Sequence, residues 1–517
     1  MPQDSLQNFP LGQHFPDSPH AVCVSLPTMA DVIGYEEKDP ATVAAMKSGY
    51  PRFKLPGLVE QANHFVSEKF GYPGEDVLLL SSAKAMQDLS LWLVAREKDA
   101  ILPFEVLDKV YGTDLHGIHA VRFKQKDSDC LKTALKFLQH TGTGISSRLA
   151  EEYLRLEGVL PEVFKEDTHL PESGDPHGFV KSALSDLTGV SQENLLLCSS
   201  GMNAFYAAFK ATCKIQRPKN RKVWIQLGWL YLDTGEILKK FLLEGETYIP
   251  HLDVFDIKGL EALLDQHSGE VAAIVTEAPT NPLIQTPDMG RIYTLAQKHG
   301  AVLIADPTSA TPANVDLLPY SDVLANSLTK YAGNQGDVLS GALFFNPKSP
   351  YVDELKDHSL ANMEPLYIRD AARLAHEIQD YREILGKINE NTLALAEFFE
   401  GHPGIAKAHW AFSPDSKANY DKLARHKNAP GGLITIETTG PMQPVHDRLQ
   451  MLKSPSFGTE WSMVCPFMYL AHYDLVSTPD GREFLQQNGI NPDLLRISVG
   501  TEPADQLVET FRVALEG

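Results

Sequence analysis

The middle of the chain carries short, continuously apolar runs, "NLLLCS" (194–199), "KVWIQL" (222–227), "VAAIVTEAP" (271–279), "AVLIADP" (301–307) and "DVLANS" (322–327), with helical or loop segments between them. Runs this short, bounded by turn signals and apolar at successive positions, predict parallel strands covered by helices on both faces. The fold class read from them is therefore α/β. Between about 58 and 141, helical patterns such as "LVEQANHFVSEKFG" and "DCLKTALKFLQH" alternate with the apolar runs "DVLLLSS" and "AVRF", which predicts further βα units of the same large domain. "VLLLSSAKAM" (77–86) echoes "LLLCSSGMNA" (195–204); two copies do not make a repeat protein, and the echo is read as a chance likeness of strand-to-helix turns.

Outside this core the periodicity changes. Residues 1–57, rich in Pro and polar residues with one apolar alternation at "AVCVSL", predict an extended arm lying on the rest of the molecule. After "SGALFFNP" a charged helical stretch predicts a long connector, broken or continuous, into a smaller domain. That domain, with "GGLITIETTG", "LLRISVG" and the closing helix "PADQLVETFRVALEG", reads as α+β. The division expected is an arm at 1–57, a large α/β domain at 58–365, and a connector with a C-terminal domain at 366–517.

Composition narrows the function. A chain of 517 residues is too long for one ordinary core, and its 43% hydrophobic and 22% charged content is ordinary globular usage. The formal charge of −21 and the lack of a basic block argue against nucleic acid as a partner. No apolar run is long enough to span a bilayer and the opening residues lack a signal-peptide pattern, so no membrane association and a cytoplasmic location are expected. The five cysteines, Cys23, Cys130, Cys198, Cys213 and Cys465, form no CxxC pair and are read as buried small hydrophobes.

Ligands of open α/β sheets bind beyond the carboxyl ends of the strands. At one such end Ser199, Ser200, Gly201 and Met202 lead into an amphipathic helix, giving either an anion cup of free amides or a plain Ser-capped helix start. At a second, Asp306 ends a buried strand, as a helix cap or as a carboxylate that needs a cationic partner. At a third, Ser327 and Thr329 flank Lys330, a surface lysine or an amine drawn out of water. Together, in the order turn, Asp, Lys, they match what a pyridine cofactor with a phosphate arm needs: an amine for covalent attachment, a carboxylate under the ring nitrogen and a cup for the phosphate. Lys330 is read as the residue that holds pyridoxal 5′-phosphate.

"SSGMNA", "EAPTNPL", "ADPT", "NSLTKYAGNQGDVLSGALFFNP" and "LLRISVGTE" resemble successive motifs of the Cys/Met-metabolism family of fold-type I pyridoxal-phosphate enzymes. "TGTGISSRLAEEYL", "GWLYLDTGEIL" and "SPSFGTEWSMVCPFMYLAHY" are similar to its long, fungal-type cystathionine γ-synthase branch, and the likeness runs from about residue 20. The resemblance implies a mostly parallel, seven-stranded-type sheet flanked by helices. It implies Lys330 as the covalent anchor, Asp306 beneath the ring nitrogen, and Ser200, Gly201, Met202, Thr308, Ser327 and Thr329 around the cofactor phosphate and ring. Tyr231 would stack on the ring and serve catalysis, Asn281 would lie near the ring hydroxyl, and Arg496 with Ser456 would take the substrate carboxylate. Where the family places a Tyr-x-Arg just before the "GISSR" position this chain has "HTGT"; Tyr50-Pro51-Arg52 is the substitute, reaching a neighbouring subunit's phosphate, or else a surface turn.

"GTGISS" (142–147) lacks the context and third glycine of a dinucleotide site and reads as a Ser-capped helix start. His116 and His119 have no further ligands in view, so no metal is expected and they read as solvated loop histidines. The activity implied is a transferase making cystathionine from an activated homoserine ester and cysteine, within methionine biosynthesis, by a homodimer or homotetramer with shared sites. A γ- or β-lyase, a γ-replacement with another nucleophile, and an inactive fold relative serving as an interaction protein are the alternatives.

Overall fold

A computed structural model describes residues 5–46, 50–51, 54–96, 102–109, 116–124, 128–168 and 174–517. Its centre is a seven-stranded sheet of β1 (Leu195–Cys198), β2 (Val223–Leu227), β3 (Thr247–His251), β4 (Val271–Glu277), β5 (Val302–Asp306), β6 (Val323–Ser327) and β7 (Gly341–Phe345), ordered β1-β7-β6-β5-β4-β2-β3. Strands β6, β5, β4, β2 and β3 run parallel; β7 is antiparallel to both β6 and β1. The seven-stranded, mostly parallel α/β sheet is thus the one the sequence predicts.

Every residue of β4 is buried, as a strand covered on both faces requires. Alternate side chains feed two separate apolar layers: Val223, Ile225 and Leu227 enter one, while Trp224 enters the other with Ala273, Val275 and Ile304. At the carboxyl edge the register aligns Ser327, Gly341 and Cys198 in one row, so the turn after β1 lies against the end of β6.

The region before this sheet departs from the predicted βα units. The strands Asp76–Leu80, Leu102–Lys109 and His116–Phe123 form a separate, wholly antiparallel sheet with His116–Phe123 in the middle. The helices Gly57–Lys69, Ala83–Val94 and Asp129–Thr141 follow the predicted periodicity, but each core of this module closes locally rather than extending the large sheet. His116 and His119 accordingly lie on a strand and not on a loop, and the His119 side chain is buried.

The arm is also more structured than an extended segment. Helices Met29–Glu36, opened by a Thr28–Asp31 capping box, and Pro40–Ala45, capped by Asp39, interrupt it. Cys23–Val24 pairs antiparallel with His14–Phe15, the Leu26 amide donates to the Lys453 carbonyl at 3.0 Å, and the Leu452 amide donates to the Ser5 carbonyl at 3.2 Å. Helices Ile368–Glu377 and Tyr381–Gly401, split by a short 3-10 turn, form the broken connector. They lead to a mixed five-stranded sheet in which Leu495–Ser498 lies between Leu433–Thr438 and Met463–Cys465.

Candidate active site

A cavity at the carboxyl edge of the central sheet is lined by Ser200, Gly201, Met202, Tyr231, Glu277, Asn281, Asp306, Thr308, Ser327, Thr329, Lys330, Tyr50 and Phe457, among others. A larger cavity of about 420 Å³ lies against the outer side of the same Ser199–Ser200 turn, but neither Lys330 nor Asp306 reaches it. The chemistry therefore concentrates in the inner one.

Each wall has a local origin. Ser200 caps the helix Gly201–Gln216, its hydroxyl accepting the Asn203 amide at 3.1 Å. Gly201 is required by contact: a Cβ there would stand 2.7 Å from Ser327 Cβ. A Cβ on Gly341 would stand 2.3 Å from the Ser200 carbonyl oxygen, so two backbones touch at the base of this turn. Asp306 accepts the Thr308 amide at 2.7 Å, and the Thr308 hydroxyl also donates to it while accepting from Asn326 Nδ2 and the Ser327 amide, both at 3.0 Å. Thr308 thus welds the end of β5 to the end of β6. The Thr329 hydroxyl is engaged similarly, accepting the Ser340 amide at 3.0 Å.

Lys330 is held by the unusual residue after it. Tyr331 has φ of 52°, its amide donates to the Gly458 carbonyl at 2.7 Å and its hydroxyl to the Ser309 carbonyl at 2.9 Å, fixing the bend that points Lys330 inward. Lys330 is 8% exposed, and its Nζ lies 2.9 Å from the Tyr50 hydroxyl and 3.0 Å from Ser456 Oγ. Among the described residues no carboxylate forms an ion pair with it. Asp306 lies on another wall of the same cavity, and burial pushes its carboxyl up to about 6 against the opposing Thr308 hydrogen bonds.

Arg496 and Ser456 stand behind the cavity wall. Arg496 Nη1 donates to Asn281 Oδ1 at 3.3 Å, and Nη2 donates to the Pro455 and Ser456 carbonyls at 2.6 and 2.9 Å, with the guanidinium against Phe457 and Phe467. Tyr231 precedes the helix Leu232–Lys240 at the cavity wall. Tyr50, on the arm, meets Lys330 of the same chain, and the arm lies over the C-terminal sheet. Arg52 lies outside the described residues.

Two participants escaped the sequence reading. Glu277 ends β4 beside Asp306 and lines the cavity; it carries the same signal that marked Asp306, a carboxylate closing an apolar run. Cys23, read only as a buried hydrophobe, lies near Ser454, Ser456 and Lys330; burial pushes its thiol up to about 11, an effect the Lys330 charge opposes. All five cysteines are buried and unbridged. Among the described residues no helix is long and apolar enough to cross a membrane, and no group of three metal-ligating side chains occurs.

A second chamber of about 400 Å³ adjoins the inner cavity, and Tyr50 lines both. Its walls carry both signs of charge, Glu36, Glu236 and Asp474 against Lys38, Lys136 and Lys240.

The family pattern described as "Cys/Met metabolism PLP-dependent enzyme" matches residues 176–516. An L-2-amino-4-chloropent-4-enoate dechlorinase/desaturase of Streptantibioticus cattleyicolor is 37% identical over 97% of both chains. A cystathionine gamma-synthase of Neurospora crassa is 27% identical over 98% of both chains. Among solved structures, cystathionine gamma synthase from Xanthomonas oryzae pv. oryzae in complex with cystathionine superposes with a TM-score of 0.55 at 21% identity, covering 68% of this chain and 88% of that one.

Proposed function

The chain belongs to the Cys/Met metabolism PLP-dependent enzymes, and from that membership we propose that it replaces the γ-substituent of an activated homoserine ester with cysteine, forming cystathionine. Its cofactor is pyridoxal 5′-phosphate. The observation that carries the reading is one cavity holding a buried lysine amine with neutral hydrogen-bond partners and a buried carboxyl that, among the described residues, forms no ion pair. Those are the two groups an aldehyde-bearing pyridinium needs, and the helix N-terminus after Ser200 suits its phosphate.

When bound, the cofactor supplies an electron sink for charge developing at substrate Cα and Cβ. The rest falls to the protein. Lys330 would be the covalent anchor and, when its amine is free, would move protons among neighbouring carbons. Asp306 keeps the ring nitrogen protonated: a cation there supplies the partner that the buried carboxyl lacks. The amides of Gly201 and Met202, with Ser200, Ser327 and Thr329, take the phosphate, while Thr308 orients Asp306 and the end of β6. Tyr231 would cover the ring, Asn281 would approach its hydroxyl, and Arg496, beside Ser456, would meet the substrate carboxylate with a planar pair of donors. Tyr50 and Arg52 would supply the contact to a neighbouring subunit's phosphate.

Replacement is favoured over elimination by the adjoining chamber, whose volume and mixed charge suit the zwitterionic head of a second amino acid. Elimination of a γ-leaving group without a nucleophile is the second reading, favoured by the 37% identity to the dechlorinase/desaturase. Mass detection of products from a panel of homoserine esters and L-2-amino-4-chloropent-4-enoate, with and without cysteine, separates them. Cystathionine appearing only with cysteine supports the first; oxo acid or desaturated product formed regardless of cysteine supports the second. We further place the enzyme in methionine biosynthesis, in the cytoplasm, as a homodimer or homotetramer.

A further inference from the structure

The chamber that adjoins the cofactor cavity is bordered by a His–Asp pair that the reaction outlined above does not use. His140 lies near the end of the helix Asp129–Thr141, and Asp233 stands in the first turn of the helix Leu232–Lys240. Asp233 is wholly buried and His140 is 2% exposed. His140 Nδ1 lies 2.8 Å from Asp233 Oδ1, and Gln139 Nε2 donates to the same oxygen at 3.0 Å. A carboxylate only accepts, so Nδ1 carries the ring proton and Nε2 is left with a bare lone pair. Nε2 is buried and has no hydrogen-bond partner among the described residues, a costly arrangement unless a donor arrives. His140 lines the second chamber together with Gln139, Leu232 and Tyr50, and Leu232 is next in sequence to Tyr231 of the cofactor cavity.

A cysteine nucleophile reaches the site mostly as the thiol, whereas the thiolate is what attacks carbon, so a base is needed beside it. The other groups on the chamber walls are poorly suited to that task. Lys240 is paired with Glu236 at 2.6 Å, Lys136 donates to Gln139 Oε1 at 3.1 Å, and the Tyr50 hydroxyl is engaged with Lys330. A carboxylate, with an ordinary value of about 4, is a far weaker base toward a thiol than imidazole is. We propose that His140, held by Asp233, accepts a hydrogen bond from the thiol of the second amino acid and takes its proton as the sulfur attacks the substrate γ-carbon. The S–H bond breaks, its proton passes to Nε2 and its electron pair forms the S–Cγ bond, while the ester's departing group leaves as the anion that balances the proton. The inference deepens the replacement reading given above and rests on it.

The test gives the full-length, cofactor-loaded protein an activated homoserine ester with either cysteine or selenocysteine, whose selenol is already ionised at neutral pH, and measures the replacement product. His140→Asn keeps a donor for Asp233 but has no basic nitrogen. Its kcat/KM for cysteine is expected to fall roughly 10²–10⁴-fold, and that for selenocysteine by less than about tenfold, with the cofactor dissociation constant within about threefold of the parent's. Asp233→Asn, which frees the ring to carry its proton on Nε2, is expected to show the same pattern with a loss of roughly tenfold or more for cysteine, and decides the matter should His140→Asn fail to fold. Parental kcat/KM with cysteine overturns the inference, and so do equal losses with the two nucleophiles, which would mark the pair as purely structural. Independently of activity, ¹⁵N resonances of labelled histidine in the cofactor-free protein at about pH 8 should show His140 protonated at Nδ1 alone, and a proton on Nε2 overturns the inference as well. If the parent forms no replacement product with either nucleophile, the replacement reading itself fails, an outcome that no variant result imitates.

Discussion

Residues 80–85 and 198–203 follow the same plan, a buried strand, two serines and a helix whose first turn the second serine caps; Ser82 accepts the Ala85 amide at 3.0 Å as Ser200 accepts that of Asn203. The earlier turn is closed by the protein itself. Glu364 reaches into it and accepts from Ser81 Oγ at 2.9 Å and Ser82 Oγ at 2.8 Å. At the later turn Glu364 offers only its backbone, accepting the Ser199 amide at 2.9 Å, and a glycine replaces the alanine that opens the first helix. One turn thus has a resident carboxyl; the other has none from Glu364 and is the one proposed above to receive the cofactor phosphate. A capped strand-to-helix turn is a binding site only where no side chain of the protein already fills it.

Four measurements bear on this contrast. The largest effect is expected beside the open turn, where Lys330→Ala should lower turnover by at least about 10³-fold while leaving the melting curve of the cofactor-free protein near the parent's. Substantial turnover in a cofactor-loaded variant would remove Lys330 from the chemistry. Gly201→Ala places a methyl against Ser327 and should cost roughly 1–3 kcal/mol of stability and weaken cofactor binding, measured by melting and by titration of the stripped protein. Unchanged binding would mean that the backbone contact does not shape the cup.

At the filled turn, Glu364 is buried and its carboxyl is pushed up to about 7 by desolvation. A raised acid destabilises the fold once the pH exceeds its ordinary value near 4.5, and the penalty is complete above about 7. Glu364→Gln should therefore be more stable than the parent above pH 7, by up to roughly 1–3 kcal/mol, with the difference fading as the pH falls toward 4.5. A pH-independent difference would show that the serines, not the charge, decide. The smallest effect is expected from Ala83→Gly, which makes the filled turn resemble the open one and should cost at most about 1 kcal/mol, with cofactor affinity unchanged.

The central sheet was legible because its strands are buried on both faces and so are apolar at successive positions, and because Asp306 and Lys330 interrupt that pattern at strand ends. The same logic applied to Glu277 would have found it, but the strand "VAAIVTEAP" was read through its carboxylate as a uniform run. The module before the sheet misled for a physical reason. "DVLLLSS" is an apolar run followed by a helix, as in a βα unit, and whether its strand then pairs parallel or antiparallel depends on partners far along the chain. The arm hid its role similarly: the alternation in "AVCVSL" shows a strand, but not that it would pair with His14–Phe15 and run along residues 453–454 behind Ser456. The echo between the two Ser-Ser turns was a true likeness of local structure, and the carboxyl that distinguishes them comes from Glu364, nearly 300 residues downstream of the first.

The fastening of the arm carries a temporal implication. Leu26 bonds to Lys453, Leu452 to Ser5, Val24 to Ser454, and Ser5 to Glu502, so the arm cannot dock before the C-terminal sheet far along the chain has formed. Tyr50 reaches Lys330 from that arm. The large sheet has all its strands by residue 345, yet Tyr50 can meet Lys330 only after the C-terminal sheet that seats the arm has folded.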